Sequence, residues 1–405
     1  MKNISSIVKK YEEKRKNIIP LVASENRCSD FCRDFLISDI AHRYYVAPAE
    51  DGCATWDYPE QSLFKELIEL TKQLVSDVFG GNNSSLSALS GNQCVAGILL
   101  GTVKQGDCVL GIAENQGGHW AFREISKKIG VNVVSIPVDE TNIEIDLNRL
   151  KEVIHKNKPK IIMLDASQTL FPFDVERIRS EIDDKIKIFY DVSHTFGLIA
   201  GGALKNPLQY GADCIHGSTH KSLFGPQKGL LIFNGPMEIY CDIEKSLHPI
   251  LASNIHLHHI AALAAALEEM KIYGREYASC VVKNAKLLAR CLEENGIDIP
   301  FKERGYTDTH QVWIPLKNKD IALSKFKLLQ EVGISLNLID LPFGLDIGFR
   351  LGTAEITRLN YSDSDIEQLA QIIADIILDR YSIKDIRSKV IKITNKNSKL
   401  FYVCN

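Results

Sequence analysis

The chain has 405 residues, 45% of them hydrophobic and 24% charged, with 48 Lys+Arg against 51 Asp+Glu for a formal charge of −3. That near-neutral balance offers no strong field for nucleic acid or an anionic membrane, and the ordinary globular composition excludes collagen, coiled coil, a disordered acidic tail and a disulfide-rich secreted domain. Dividing the length by roughly 150 residues per domain predicts two or three subdomains.

The opening, MKNISSIVKKYEEKRKN, has no apolar h-region and is not expected to be a signal peptide. Residues 4–17 read as a charged amphipathic helix, followed by a short apolar piece at 18–23 and Ser24-Glu25-Asn26. Leu63, Leu67, Leu70, Leu74 and Val78 have helical spacing over 60–79, and Gly80-Gly81 supplies the stop. Short β-rich runs then recur at 108–113, 131–137, 160–165, 186–191, 213–218 and 229–233, several separated by helical or loop stretches such as 146–157. This alternation predicts an α/β domain with a mostly parallel sheet. Ligands sit at the carboxyl ends of such strands, so the polar residues that close the runs are the ones to inspect.

Beyond about 255 the pattern changes. An Ala/Leu-rich helix at 260–271 leads into a second helical stretch at 276–294, then strands at 312–316, 333–338 and 349–352 and a helix at 364–379. This predicts a smaller α+β domain. The expected division is an N-terminal helical arm over 1–50, a large domain over 51–260 and a small domain over 261–405. The locally basic stretch 382–399 reads as solvated surface, with an interaction tail as the alternative. Ten cysteines without a CxxC fit free thiols in a reducing cytosol. Cys94, Cys108 and Cys214 lie in apolar runs, as small core side chains do. No stretch of 18 uncharged apolar residues could span a membrane, and a cytoplasmic protein is expected.

Five elements carry chemistry. Lys221 follows a strand and precedes a Gly-Pro loop in STHKSLFGP (218–226), where a lysine amine can form a Schiff base with an aldehyde cofactor. Asp191 ends the strand IKIFYD and precedes His194 by three residues. It is either a helix N-cap or the acid that keeps a pyridine nitrogen protonated. Ser90 and Gly91 in LSGNQ (89–93) open a helix-like run and offer free N–H groups to a phosphate. Gly117 and Gly118 permit close backbone approach ahead of His119, whose flat ring could stack on a pyridine. Arg350 lies inside an apolar segment, which calls for a partner: a substrate carboxylate held bidentately, or an internal ion pair. The histidines of HLHH (256–259) begin a helix and read as core or cap residues, and no metal is expected.

In this order, these elements resemble the serine hydroxymethyltransferase family of pyridoxal-phosphate (PLP) enzymes, over about residues 10–379. LVASEN (21–26) is similar to the family's N-terminal signature, STHKSLFGP to its lysine motif, and YTDTH (306–310) and RLGTAEITR (350–358) to its C-terminal motifs. The resemblance implies a PLP-dependent transferase of fold type I, aspartate-aminotransferase-like. Lys221 would be the Schiff-base lysine, Asp191 the partner of the pyridine nitrogen and His119 the stacking ring. His194 and Ser167 would lie near the phenolic oxygen, and Ser90, Gly91 and Asn92 would hold the phosphate. Ser24 and Arg350 would hold the amino-acid carboxylate, with His220 hydrogen-bonded beside the lysine. A homodimer is implied.

The departures lie on the folate side. The family's aromatic residue and catalytic glutamate fall in RYYVAPAEDG (43–52), where Tyr44 is the substrate-side aromatic and Glu50 or Val46 occupies the glutamate position, depending on register. Glu114 and Trp120 replace two apolar residues that flank the folate ring. Gln227 replaces an arginine, and the family's Gly-Gly falls near Ser253-Asn254-Ile255. PLP chemistry is therefore expected to survive, and tetrahydrofolate use is doubtful. The expected function is making or breaking the Cα–Cβ bond of a β-hydroxy-α-amino acid, as hydroxymethyltransferase, aldolase or transaldolase, with an aldehyde as second substrate and Glu50, His119 or water as base. The rival readings are transamination, racemisation or decarboxylation on the same scaffold, or a PLP-binding protein without catalysis.

Overall fold

The structure is a computed structural model that describes residues 3–45, 58–380 and 382–404. Contacts group the chain into two units: residues 27–168, 172–278 and 403–405 form the larger, and residues 1–26, 169–171 and 279–402 the smaller. The first 26 residues group with the C-terminal segment, and residues 261–278 with the larger unit.

The larger unit is built on a seven-stranded sheet. Its strands are β1 (Asn83–Ser85), β2 (Cys108–Gly111), β3 (Asn132–Ser135), β4 (Ile161–Leu164), β5 (Lys187–Asp191), β6 (Cys214–Ser218) and β7 (Gly229–Phe233). Their order is β1-β7-β6-β5-β4-β2-β3. The five strands from β6 to β3 are mutually parallel, and β7 is antiparallel to both β6 and β1. Each β-rich run of the sequence is a strand here. β4, β6 and β7 are buried along their whole length, as expected of strands covered on both faces. One core cluster joins Val109, Ile161, Met163, Phe189, Cys214 and Leu231 of the sheet to Val95, Ile98 and Leu99 of the helix Gly91–Thr102. Cys94 and Cys214 are fully buried and Cys108 partly so, and burial pushes all three thiols up.

The parallel arrangement puts the carboxyl ends of β2, β4, β5 and β6 along one edge. The residues that follow those ends are 112–119, Asp165 to Gln168, Val192 to Thr195 and Thr219 to Lys221.

The smaller unit has a three-stranded antiparallel sheet in which Ile347–Gly352 lies between Gln311–Pro315 and Asn337–Asp340. A short parallel pair joins Ile19–Pro20 to Ile334–Ser335, which ties the N-terminal segment to this unit. The stretches at 260–271 and 276–294 are one helix, Leu257–Glu294, of which residues 257–278 group with the larger unit and 279–294 with the smaller. The basic stretch at 382–399 is neither bare surface nor a tail. Its helix Ile383–Lys396 buries Ile386, Val390 and Ile393 in the unit's core with Ile334, Leu329 and Ile373. Among the described residues, no helix is long and apolar enough to cross a membrane.

Candidate active site

The polar residues closing the parallel strands converge on one cavity of the larger unit. It is lined by Gly91, Asn92, His119, Asp165, Ser167, Asp191, Ser193, His194, Ser218 and Lys221. Backbone geometry dictates most of this placement. Ser167 N donates to Gly117 O at 2.9 Å and His119 N donates to Asp165 O at 2.9 Å, which joins the segment after β4 to the one before the helix Trp120–Lys128. Gly117 has a φ of +91°, and a Cβ there would lie 2.4 Å from Gln168 O, so only glycine allows this approach. The His119 ring caps the following helix, its Nδ1 accepting from Ala121 N at 3.3 Å. That leaves Nε2 as the protonated ring nitrogen of a neutral imidazole.

Asp191 is fixed by one backbone bond and has a buried imidazole nearby. Its Oδ1 accepts from Ser193 N at 2.8 Å, and its Oδ2 lies 4.0 Å from Nδ1 of His216. His216 is fully buried and kept neutral by that burial, against the opposing pull of the Asp191 charge. Ser193 Oγ in turn accepts from Ser218 N at 2.8 Å, linking the turn after β5 to the end of β6.

Lys221 sits in a loop closed at both ends. Thr219 N donates to Lys228 O at 3.0 Å, Gly225 N to Thr219 O at 2.9 Å and Phe224 N to Lys221 O at 3.0 Å. Thr219 Oγ1 adds a bond to Pro226 O at 2.6 Å. Beside it, His220 is pulled down to about 4, first by burial and then by the Lys221 charge. His220 does not line the cavity.

The start of the helix Gly91–Thr102 supplies the opposite wall. Ser90 Oγ accepts from Gln93 N at 3.2 Å, and Gln93 Oε1 accepts from Leu89 N at 2.7 Å, so Ser90 acts as an N-cap. Gly91 and Asn92 face the cavity. A Cβ at Gly91 would lie 2.6 Å from Ser218 Oγ.

Tyr44, also in the larger unit, is exposed and stacks on Tyr58 with ring centroids 5.9 Å apart. Ser24 and Arg350 belong to the smaller unit. There Gly352 N donates to Leu21 O at 2.8 Å and His310 Nε2 contacts Ala23 O at 2.9 Å, setting the Ser24 turn against the strand that bears Arg350. Arg350 donates from Nε and Nη2 to Asn337 Oδ1 at 3.3 and 3.1 Å, and burial pulls its guanidinium down to about 10. Glu50 and Val46 fall outside the described residues.

Sequence reasoning missed Asp165, Ser193, Ser218 and His216. Asp165 gave the same signal as Asp191, an acid closing an apolar run. The serines gave none, because their role depends on which strands become neighbours.

Comparison with known proteins assigns the chain to a family. The family model described as serine hydroxymethyltransferase matches residues 1–373. The chain belongs to the serine hydroxymethyltransferase family. A serine hydroxymethyltransferase of Methanopyrus kandleri is 35% identical over 396 residues, covering 95% of this chain and 90% of the relative. One of Staphylothermus marinus is 33% identical over 398 residues, covering 96% and 90%. Among solved structures, an L-threonine transaldolase from Pseudomonas fluorescens in its internal aldimine state superposes with a TM-score of 0.94 at 30% identity, over 99% of this chain and 92% of that one. The protein is a PLP-dependent enzyme of fold type I, and its chemistry acts on the Cα–Cβ bond of hydroxy amino acids.

The cavity fits that cofactor. It brings together a lysine amine, a carboxylate on the adjoining strand, a flat imidazole and, at Gly91, a helix start with no side chain in the way.

Proposed function

We propose that this enzyme cleaves and re-forms the Cα–Cβ bond of a small β-hydroxy-α-amino acid as an aldolase or transaldolase, with an aldehyde rather than tetrahydrofolate as its second substrate. The observation that carries the reading is the convergence of Lys221, Asp191, His119, Ser167 and His194 on one cavity. PLP, when bound, supplies an electron sink for the bonds at Cα. Lys221 would supply the amine that holds the cofactor's aldehyde carbon. Asp191 would hold a proton on the ring nitrogen. His119 would stack on the ring, Ser167 and His194 would bond its phenolic oxygen, and Ser90, Gly91 and Asn92 would receive the phosphate. His220 accompanies the lysine.

Arg350 and Ser24 are the proposed holders of the amino-acid carboxylate, with Tyr44 on the substrate side. Fixing the carboxylate would orient the amino acid and so select which of its Cα bonds reacts. The proton of the substrate hydroxyl goes to Glu50, His119 or water.

The altered folate-side residues support the choice of second substrate. Trp120 is 56% exposed and stacks on His119 with centroids 5.5 Å apart, and Glu114 is exposed. An indole and an acid stand where the family resemblance expects two apolar residues. The assay is release of aldehyde from threonine or serine by PLP-loaded protein. Release without tetrahydrofolate, lost in Lys221→Ala together with the visible Schiff-base absorbance, is expected. A strict requirement for tetrahydrofolate would overturn the aldehyde reading, and a keto-acid product would replace it with transamination or elimination.

We propose further that the enzyme is a cytoplasmic homodimer that takes small molecules and neither nucleic acid nor membrane as partners. The helix Ile4–Arg15 supports the dimer: Ile4, Ile7, Val8 and Tyr11 form a stripe with 48–80% of each residue exposed. Such a stripe on a charged helix suits burial against a second copy. Sedimentation at micromolar concentration tests this, and a monomer would refute it.

A further inference from the structure

Asp165 is a buried acid that the roles above leave unused. It follows β4, is 2% exposed, and lines the same cavity as Asp191, which ends the neighbouring strand β5. Its Oδ1 accepts from Ile112 N at 3.3 Å, whereas Oδ2 is buried without a hydrogen-bond partner. An ionised carboxylate left half-satisfied in this way, beside another carboxylate, is strongly disfavoured. A protonated one has an O–H to offer.

The surrounding charges do not rescue the ionised form. Arg123, on the helix Trp120–Lys128, favours it, but that guanidinium is engaged with Gly111 O at 3.4 Å and Ser135 Oγ at 2.9 Å. His216, on β6, stays neutral through burial. Burial first, and then the Asp191 charge, raise Asp165 well above the usual carboxylate range.

We propose that Asp165 is a positioning residue for the cofactor ring: a carboxyl that keeps its proton beside the Asp191 carboxylate, so that the cavity presents one negative charge to the ring nitrogen and a neutral O–H donor at Oδ2. This rests on the reading of the cavity as the PLP site. A second charge at Asp165 would oppose the first with only the field of Arg123 to offset it, whereas a neutral acid adds a hydrogen bond and leaves Asp191 alone to hold the ring proton. Asn in its place keeps the Ile112 bond and the neutral donor, and Ala removes both.

Two measurements decide it. Infrared difference spectra of the cofactor-free protein at pH 7, wild type minus Asp165→Asn, are expected to contain the carbonyl stretch of a protonated acid. Carboxylate bands there instead would overturn the proposal whatever the cofactor does. With PLP bound, the pH midpoint of the Schiff-base absorbance is expected to stay within about 0.3 units in Asp165→Asn, while an ionised Asp165 would let it fall by about one unit or more. Asp165→Ala is expected to weaken PLP binding by about 5- to 10-fold, the usual value of one lost hydrogen bond. Affinity unchanged in Asp165→Ala would also overturn the positioning role. A protein that keeps the acid band but takes up no PLP would instead sink the cofactor reading of the cavity.

Discussion

The Ser193 hydroxyl accepts the backbone N–H of Ser218 at 2.8 Å while the Ser193 N–H donates to Asp191. One residue in the turn after β5 therefore couples the acid of that strand to the end of β6, from which the Lys221 loop departs. Ser193 and Ser218 are both buried, which shields the bond between them from bulk solvent. Ser193→Ala is expected to lower unfolding free energy by about 1–3 kcal/mol, the penalty of a buried N–H left without an acceptor. Urea unfolding measures this directly, and a change below about 0.5 kcal/mol would show that Ser218 N finds another acceptor.

Arg350 makes two bonds from one edge of its guanidinium to Asn337. Lysine retains the charge but cannot present a planar fork. Arg350→Lys is expected to raise KM for the amino acid by about 10- to 100-fold, as loss of a charge-assisted bond worth about 1.5–3 kcal/mol would. An unchanged KM with lower kcat would mean that Arg350 acts on the reaction rather than on carboxylate binding.

The helix Ile383–Lys396 contributes to the core through one face only. Ile393 is buried and Ile391 is partly exposed. Ile393→Ala is expected to destabilise by about 2–5 kcal/mol, and Ile391→Ala by no more than about 0.5 kcal/mol. Equal effects of the two substitutions would contradict the docking.

Lys228 is fully buried, its Nζ donating to Ile255 O at 3.0 Å and Ala88 O at 3.4 Å. Burial pulls its amine from 10.5 down to about 7. Between these values the unfolded chain binds a proton that the folded chain does not, so this residue's penalty shrinks as pH rises from 7 toward 10.5. The stability difference between Lys228→Met and wild type is therefore expected to be more favourable to the variant at pH 7 than at pH 9. Urea midpoints of both proteins at the two pH values check it, and a pH-independent difference would show that Lys228 is not depressed.

Several features were legible in the chain because they depend on local pattern. The alternating β-rich runs became the sheet, and Asp191 and Lys221 could be singled out because each follows an apolar run. The stripe Ile386, Val390 and Ile393 was also present at helical spacing, but the lysines between them made the segment look like surface. Lysine stems tolerate a half-buried helix, so composition alone does not separate a docked amphipathic helix from a solvated one.

By itself, then, the sequence determined the strand and helix periods, the order of the strand-end residues and the motifs that point to a PLP enzyme. Only the tertiary structure decided that β4, β5 and β6 lie side by side, that Asp165 shares a cavity with Asp191, and that Ser90 caps a helix while Gly91 faces the cavity. The reason is physical. An acid or serine after a strand has the same local signature whether it meets water, a backbone N–H or another acid. Its charge state and its task are set by groups tens of residues away that strand pairing brings beside it.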